Sequence, residues 1–137
     1  MAEATDVVRR LFEAVEARRP YVSDCYAEDI EIREAESLPY GGVYRGHDGA
    51  HRHIAAWRAT WDRFQTAAEH QLEARFIEGS GDTVAVVFRH RAVDPNSGRR
   101  VDAPEVGIYE VRGGKIARSQ MFHADTAALL RFLYEAR

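Results

Sequence analysis

The stretch KIARSQMFHADTAALL, Lys115 to Leu130, places a histidine and an aspartate two residues apart where a strand gives way to a helix. Alternation puts Ser119, Met121, His123 and Asp125 on one side of that strand, and Ile116, Arg118, Gln120 and Phe122 on the other. Neighbours on one side stand about 7 Å apart. A single bound atom or water can therefore touch both, and a carboxylate and an imidazole at that spacing can divide the work of general base and general acid. Asp125 also directly precedes Thr-Ala-Ala-Leu, where its side chain can cap a helix for about 1 kcal/mol with no chemistry involved. The roles are compatible, because one carboxylate oxygen can cap while the other faces a cavity. Both sides of the strand are mixed, so parity alone leaves the inner side open.

A second histidine stands out on the run from Thr83 to Val93. His90 shares its side with Val84, Val86 and Phe88, so it is a polar group on an apolar face and wants a partner. Across the DPNSG turn, Glu105 has the parity of Gly107 and Tyr109 and can either be that partner or face solvent. His47, His51 and His53 raise the question of a metal, since His47 and His51 lie one helical turn apart. No third ligand or supporting shell is evident in the pattern, and no metal is expected.

Composition narrows the class. The formal charge is -3 and the acids and bases are interleaved, so no basic face exists to neutralise phosphates and nucleic acid is not an expected partner. The start, MAEATDVVRRLFEAVEARR, has charge every few residues, and no run of about 18 apolar residues occurs anywhere. A cytoplasmic protein with no membrane association is expected. The single cysteine, Cys25, has no intramolecular partner and reads as a small core residue.

The elements that must hold these residues follow from period. Val8, Leu11, Phe12 and Val15 form the stripe of an amphipathic helix over 5–19 that Pro20 ends, and a short helical turn leads to a strand around Ile30 and Ile32. The glycine-rich segment ESLPYGGVYRGHDG reads as a loop carrying Tyr40 and Tyr44. A long helix then starts near His47 or Asp48, with Ala50, Ile54, Trp57, Trp61 and Phe64 on one face. Three runs with period two follow, HQLEARFIE, DTVAVVFRHRAV and RRVDAPEVGIYEV, then the strand KIARSQMFH and a closing helix with Leu129, Leu130 and Leu133. Helices first and a meander of strands afterwards predict an α+β protein in a single domain, 1–137.

The loop PYGGVYRGHDG before the tryptophan helix, the turn RGGKI and the ending MFHADTAALLRFL resemble the nuclear transport factor 2-like superfamily, especially its SnoaL-like polyketide cyclase and ketosteroid isomerase-like branch. The resemblance spans nearly the whole chain. It implies a cone-shaped roll, with a strongly curved mixed β-sheet wrapped around N-terminal helices, a short C-terminal helix, an apolar pocket and a homodimer. It implies that Asp125 points into the pocket, with His123 beside it and His90 assisting. In an apolar cone a carboxylate loses solvation and its pKa rises, while a nearby imidazolium pulls it back toward neutrality. Glu34 falls near the place where ketosteroid isomerases carry their base, although Glu-Ala-Glu stands here in place of Asp-Pro. Phe88, Glu105 and Met121 are then pocket residues, Trp57 and Trp61 core residues that also form a wall, and Tyr40 and Tyr44 the mouth. The expected function is cofactor-independent proton transfer on an apolar carbonyl-bearing or polycyclic small molecule. A binding module or a dimeric protein-interaction module of the same fold is the alternative.

Overall fold

The structure is a computed structural model that describes residues 2–19 and 23–136, so Pro20 and its expected role lie outside the described residues. Helix α1 runs Ala2–Glu16, followed by a 3₁₀ turn at Ser23–Cys25. Strands β1 (Tyr26–Glu34) and β2 (Gly42–Arg45) precede helix α2 (Gly46–Trp61) and a 3₁₀ turn at Asp62–Phe64. Then come β3 (Arg75–Glu78), β4 (Thr83–Val93), β5 (Arg100–Arg112), β6 (Lys115–His123) and helix α3 (Thr126–Glu135). The six strands form one mixed sheet in the order β2-β1-β6-β5-β4-β3. Only β1 and β6 run parallel; the other neighbours are antiparallel. This is the expected α+β roll, with the sheet left open rather than closed. No described helix is long and apolar enough to cross a membrane.

The stripe on α1 is buried as its spacing requires. Val7, Val8, Leu11 and Phe12 meet Ile30, Ile32, Val84, Val86 and Ile116 on the inner side of the sheet. Phe12 is the centre of this contact, with the rings of Phe88, Phe76 and Tyr109 edge-on to it at 5.0, 5.6 and 5.7 Å. A second cluster closes the other end, where α3 brings Leu129 and Phe132 against Leu38, Tyr40, Trp61 and Phe64. The two clusters are separate, and Leu11, Phe12 and Phe88 from the first and Trp57 from the second line a cavity.

Two expectations about the elements change. The tyrosine segment is not all loop, because residues 42–45 pair with β1 from Glu34↔Gly42 to Glu31↔Arg45. Glycines at both flanks hid a four-residue edge strand. Conversely, HQLEARFIE is a strand only from Arg75. Glu73 has φ 51, and such a left-handed residue interrupts an extended run.

The turn between β1 and β2 fixes the end of β1 and therefore Glu34. Leu38 N–H donates to the Ala35 carbonyl at 3.1 Å and Gly41 N–H to the Leu38 carbonyl at 2.8 Å. A Cβ on Gly41 would lie 2.3 Å from the Ala35 carbonyl oxygen and 2.7 Å from Glu36 Cα. Backbone on both sides cannot step aside as a flexible side chain would. Gly41→Ala is expected to cost about 1–3 kcal/mol of stability by overpacking, measured as a lower urea midpoint at unchanged slope.

Candidate active site

Register across three strands assembles the site. Glu105 on β5 is directly opposite His123 on β6, and the pairing of Ile32 with Ser119 brings the end of β1 alongside the same part of β6. Alternation turns Glu34, His123 and Glu105 all to the inner side. The imidazole of His123 lies between the two carboxylates: Nε2 is 3.4 Å from Glu34 Oε1, and Nδ1 is 3.5 Å from Glu105 Oε1. Helix α2 supplies a fourth member, His53, whose Nε2 donates to Glu34 Oε2 at 2.8 Å. The side chains of Glu34, His123 and Glu105 are 3%, 2% and 5% exposed, and that of His53 is 16% exposed. Water reaches the row at its His53 end.

Burial sets the charges. It pushes the Glu105 carboxyl up to about 8, against a partial pull from His123 and helped by the charge on Glu34. Burial works on Glu34 in the same sense, but the hydrogen bonds from His123 and His53 outweigh it and hold that carboxyl below its usual range. Burial disfavours the charged form of His123, and the hydrogen bond to Glu34 together with the charges of Glu105 and Glu34 reverses this and raises its pKa. Near neutral pH the row therefore contains an ionised Glu34, an imidazolium at His123 and a protonated Glu105. Two carboxyl groups driven apart in this way are an acid and a base at the same pH.

A cavity of about 150 Å³ opens onto this row. Leu11, Phe12, Ile54, Trp57, Phe88 and Met121 are among its apolar walls, and Glu34, Glu105, His53 and His90 supply polar groups. His90 is pushed down to about 3 by burial, with the nearby His123 charge adding to the effect and Glu34 opposing it. It is a neutral ring. Its Nε2 has no hydrogen-bond partner, and the ring packs edge-on to Trp61 at 4.2 Å and to Trp57 at 5.8 Å.

The residues singled out from sequence separate into two groups. Glu34, His90, Glu105, Trp57, Phe88 and Met121 line the cavity, and His123 lies directly behind it, joining the two carboxylates. The expectation that Asp125 points inward is not met. The strand ends at His123, and the turn at Ala124 and Asp125 breaks the alternation that carried Asp125 to the inner side. Asp125 is exposed and its Oδ1 accepts from Ala128 N–H at 2.9 Å, so it caps α3. Tyr40 and Trp61 are wholly buried in the second cluster, where Trp61 Nε1 donates to Tyr40 Oη at 2.9 Å. Tyr44 Oη donates to the Tyr40 carbonyl at 2.9 Å. These tyrosines therefore lock the β1–β2 turn and do not close a mouth. In the sequence His53 stands out only as a metal-ligand candidate. Its position three residues after Ala50 and four before Trp57 was the readable sign that it faces the cavity.

The metal question has a geometric answer at the row. Among the described residues, Glu34, Glu105 and His123 can bring one ligand atom each within 4.8 Å of one another. Each carboxylate, however, addresses a different ring nitrogen, and the in-plane lone pairs of those nitrogens diverge. An ion there would take one ring nitrogen and leave the carboxylate on the other side of the ring to reach around it. His47 turns away to the Tyr26 carbonyl at 3.2 Å, so the three helix histidines do not converge.

The raised Glu105 carboxyl has a consequence for stability. Its ordinary value is 4.5, so between that pH and about 8 the folded chain binds a proton that the unfolded chain has lost. Stability from this group is complete below 4.5 and is lost as pH rises toward 8. Below about 6.5 the depressed His90 works in the opposite sense and offsets this, so the unfolding free energy is expected to fall between pH 6.5 and about 8, at up to about 1.4 kcal/mol per pH unit. In Glu105→Gln the fall should be shallower, keeping only the part due to His123, as urea titrations across that range will show.

Comparison with known proteins places the chain. Residues 8–119 match the SnoaL-like domain. The uncharacterized protein Rv0034 of Mycobacterium tuberculosis is 31% identical over 128 residues, covering 93% of each chain. An NTF2-like protein of unknown function from Burkholderia pseudomallei superposes with a TM-score of 0.80 at 25% identity, over 97% of this chain and 98% of that one. TerC, crystallised with polyporic acid, superposes with a TM-score of 0.80 at 20% identity, over 96% and 98%. The domain match extends from α1 into β6, and the chain belongs to the SnoaL-like family of NTF2-like folds.

Proposed function

We propose that this protein is a cofactor-independent enzyme that moves a proton on a small apolar molecule bearing a carbonyl group. The observation that carries the reading is the pair of buried carboxyl groups, Glu34 between two imidazoles and Glu105 beside one, joined by His123 at the edge of an apolar cavity. A pure packing core would be more stable with apolar residues at these positions, because a buried ion pair does not recover its desolvation cost. The ionised Glu34 end of the row is the base end. Glu105, still protonated, can hold or protonate the carbonyl oxygen as negative charge develops there. The hydrogen that leaves carbon goes to the base end, and the electron pair moves to oxygen as an enolate.

Cavity size limits the substrate. A dry void of about 150 Å³ takes a single benzene ring, so compact mono- or bicyclic ketones suit it better than a steroid-sized polycycle. The crystals of TerC with polyporic acid agree with a small-molecule site in a protein of this fold. Double-bond isomerisation, aldol-type cyclisation and β-elimination on such a ketone share this first proton transfer.

A homodimer is proposed through the outer side of the sheet. Ile77, Ala85 and Ile108 form one cross-strand row there, and Val87, Val106 and Phe122 the next. Ile77 and Phe122 are 44% and 50% exposed. In sedimentation equilibrium the wild type is expected to weigh as a dimer and Phe122→Glu as a monomer with unchanged circular dichroism.

The proton-transfer reading is tested with 2-indanone in D₂O at neutral pH. Deuterium should enter its α-methylene positions faster than in buffer alone, with Glu34→Gln reducing the excess by about 10²–10⁴-fold. Saturable binding of the ketone with no excess exchange would instead make the protein a binding module.

A further inference from the structure

Glu34 is poorly placed to collect a proton from carbon by itself. His53 occupies Oε2 at 2.8 Å and His123 lies against Oε1 at 3.4 Å, so both oxygens already have partners. Its carboxyl is also held below its usual range, after burial has been outweighed by those two hydrogen bonds, and a base held low accepts protons weakly. His53 is placed differently. It lines the cavity, its side chain is the least buried of the row, and its ring leans edge-on against Tyr44 at 5.1 Å. With Nε2 committed to Glu34, Nδ1 has no hydrogen bond to a described residue.

We propose that His53 is the catalytic base that touches the substrate, and that Glu34 is its positioning carboxylate. This inference rests on the proton-transfer reading and names the atom that performs it. The carboxylate accepts from Nε2–H, which fixes the tautomer with a bare lone pair on Nδ1 and steadies the imidazolium formed later. In the step itself the carbon–hydrogen bond breaks and its proton goes to Nδ1. The bonding electrons pass into the carbonyl as an enolate whose oxygen faces the protonated Glu105. The second proton on the ring can then return to a different carbon of the same molecule, or leave to water through the partly exposed His53 edge. His123 has no direct contact with the substrate. It ties the positioning carboxylate to the acid and keeps the two from sharing one protonation state.

Two measurements test this. With 2-indanone as the probe, His53→Gln keeps a donor toward Glu34 but cannot accept a proton. Exchange above buffer should fall by about 10²-fold or more while the thermal midpoint stays near the wild type. His53→Ala should lose as much and regain part of it when imidazole is added to the solution. Wild-type exchange in His53→Gln would overturn the assignment and return the role to Glu34; so would loss in His53→Ala that imidazole does not relieve. The second measurement needs no turnover. Nitrogen-15 NMR of the wild type should show neutral His53 with its proton on Nε2 and a bare Nδ1, and 2-indanone should move the Nδ1 resonance. A proton found on Nδ1 would overturn the proposal even if exchange is fast. Absence of exchange with the expected tautomer and shift would count against the proton-transfer reading and leave His53 as the residue that meets the ligand.

Discussion

Two carboxylates and an imidazole buried together on one patch of sheet cannot all keep their ordinary charges. Water that would stabilise them is gone, and each must be neutral or paired. The arrangement here resolves the conflict unevenly. Glu34 has two imidazole partners and stays charged; Glu105 has one at 3.5 Å and takes a proton instead. That inequality is the source of both the proposed chemistry and the pH-dependent part of the stability. It depends on His123 presenting one nitrogen to each side, which only its position between β1 and β5 allows.

The rest of the fold maintains that position. Phe12 and its three ring neighbours press α1 onto one end of the sheet. The pair of Trp61 and Tyr40, with Phe64 and Phe132 around it, fastens the other end. Neither cluster reaches the middle, and a helix laid over a sheet leaves a void that side chains from both clusters bound but do not fill. Tyr44 connects the two problems: its hydroxyl holds the turn that follows Glu34, and its ring supports His53. Loss of packing at the turn would therefore be felt as a loose base.

His90 shows how the same burial can leave a group without a task in the row. The ring is neutral, enclosed by two indoles and lacks a partner at Nε2. The rings meet at steep angles, 69° to Trp61 and 88° to Trp57, an arrangement that aromatic pairs favour. Stiffening of the wall next to Trp57 is the physical effect of this packing.

The helix stripe of α1, the long period-two runs of β4, β5 and β6 and the capping of α3 were readable in the chain, because each depends on neighbours a few residues away. So was the inward side of His90, on an otherwise apolar face, whereas alternation left Glu105 and His123 open because both sides of the β6 strand are mixed and Glu105 could equally face solvent. Parity failed at Asp125, where the strand stops, and at Ile116, which a register shift between Glu110 and Val111 leaves on the inner side with Ser119; the loop reading failed at the tyrosine segment, where four residues acquire strand character only by pairing with β1. The set Glu34, His53, His123 and Glu105 draws on β1, α2, β6 and β5, separated by up to 89 positions from Glu34 to His123. Residue types and local faces are properties of the sequence by itself. Which buried charges meet, and which of two carboxyl groups keeps its proton, was decided only by strand order and by the helix laid across it, because distance and lost solvation act through space and not along the chain.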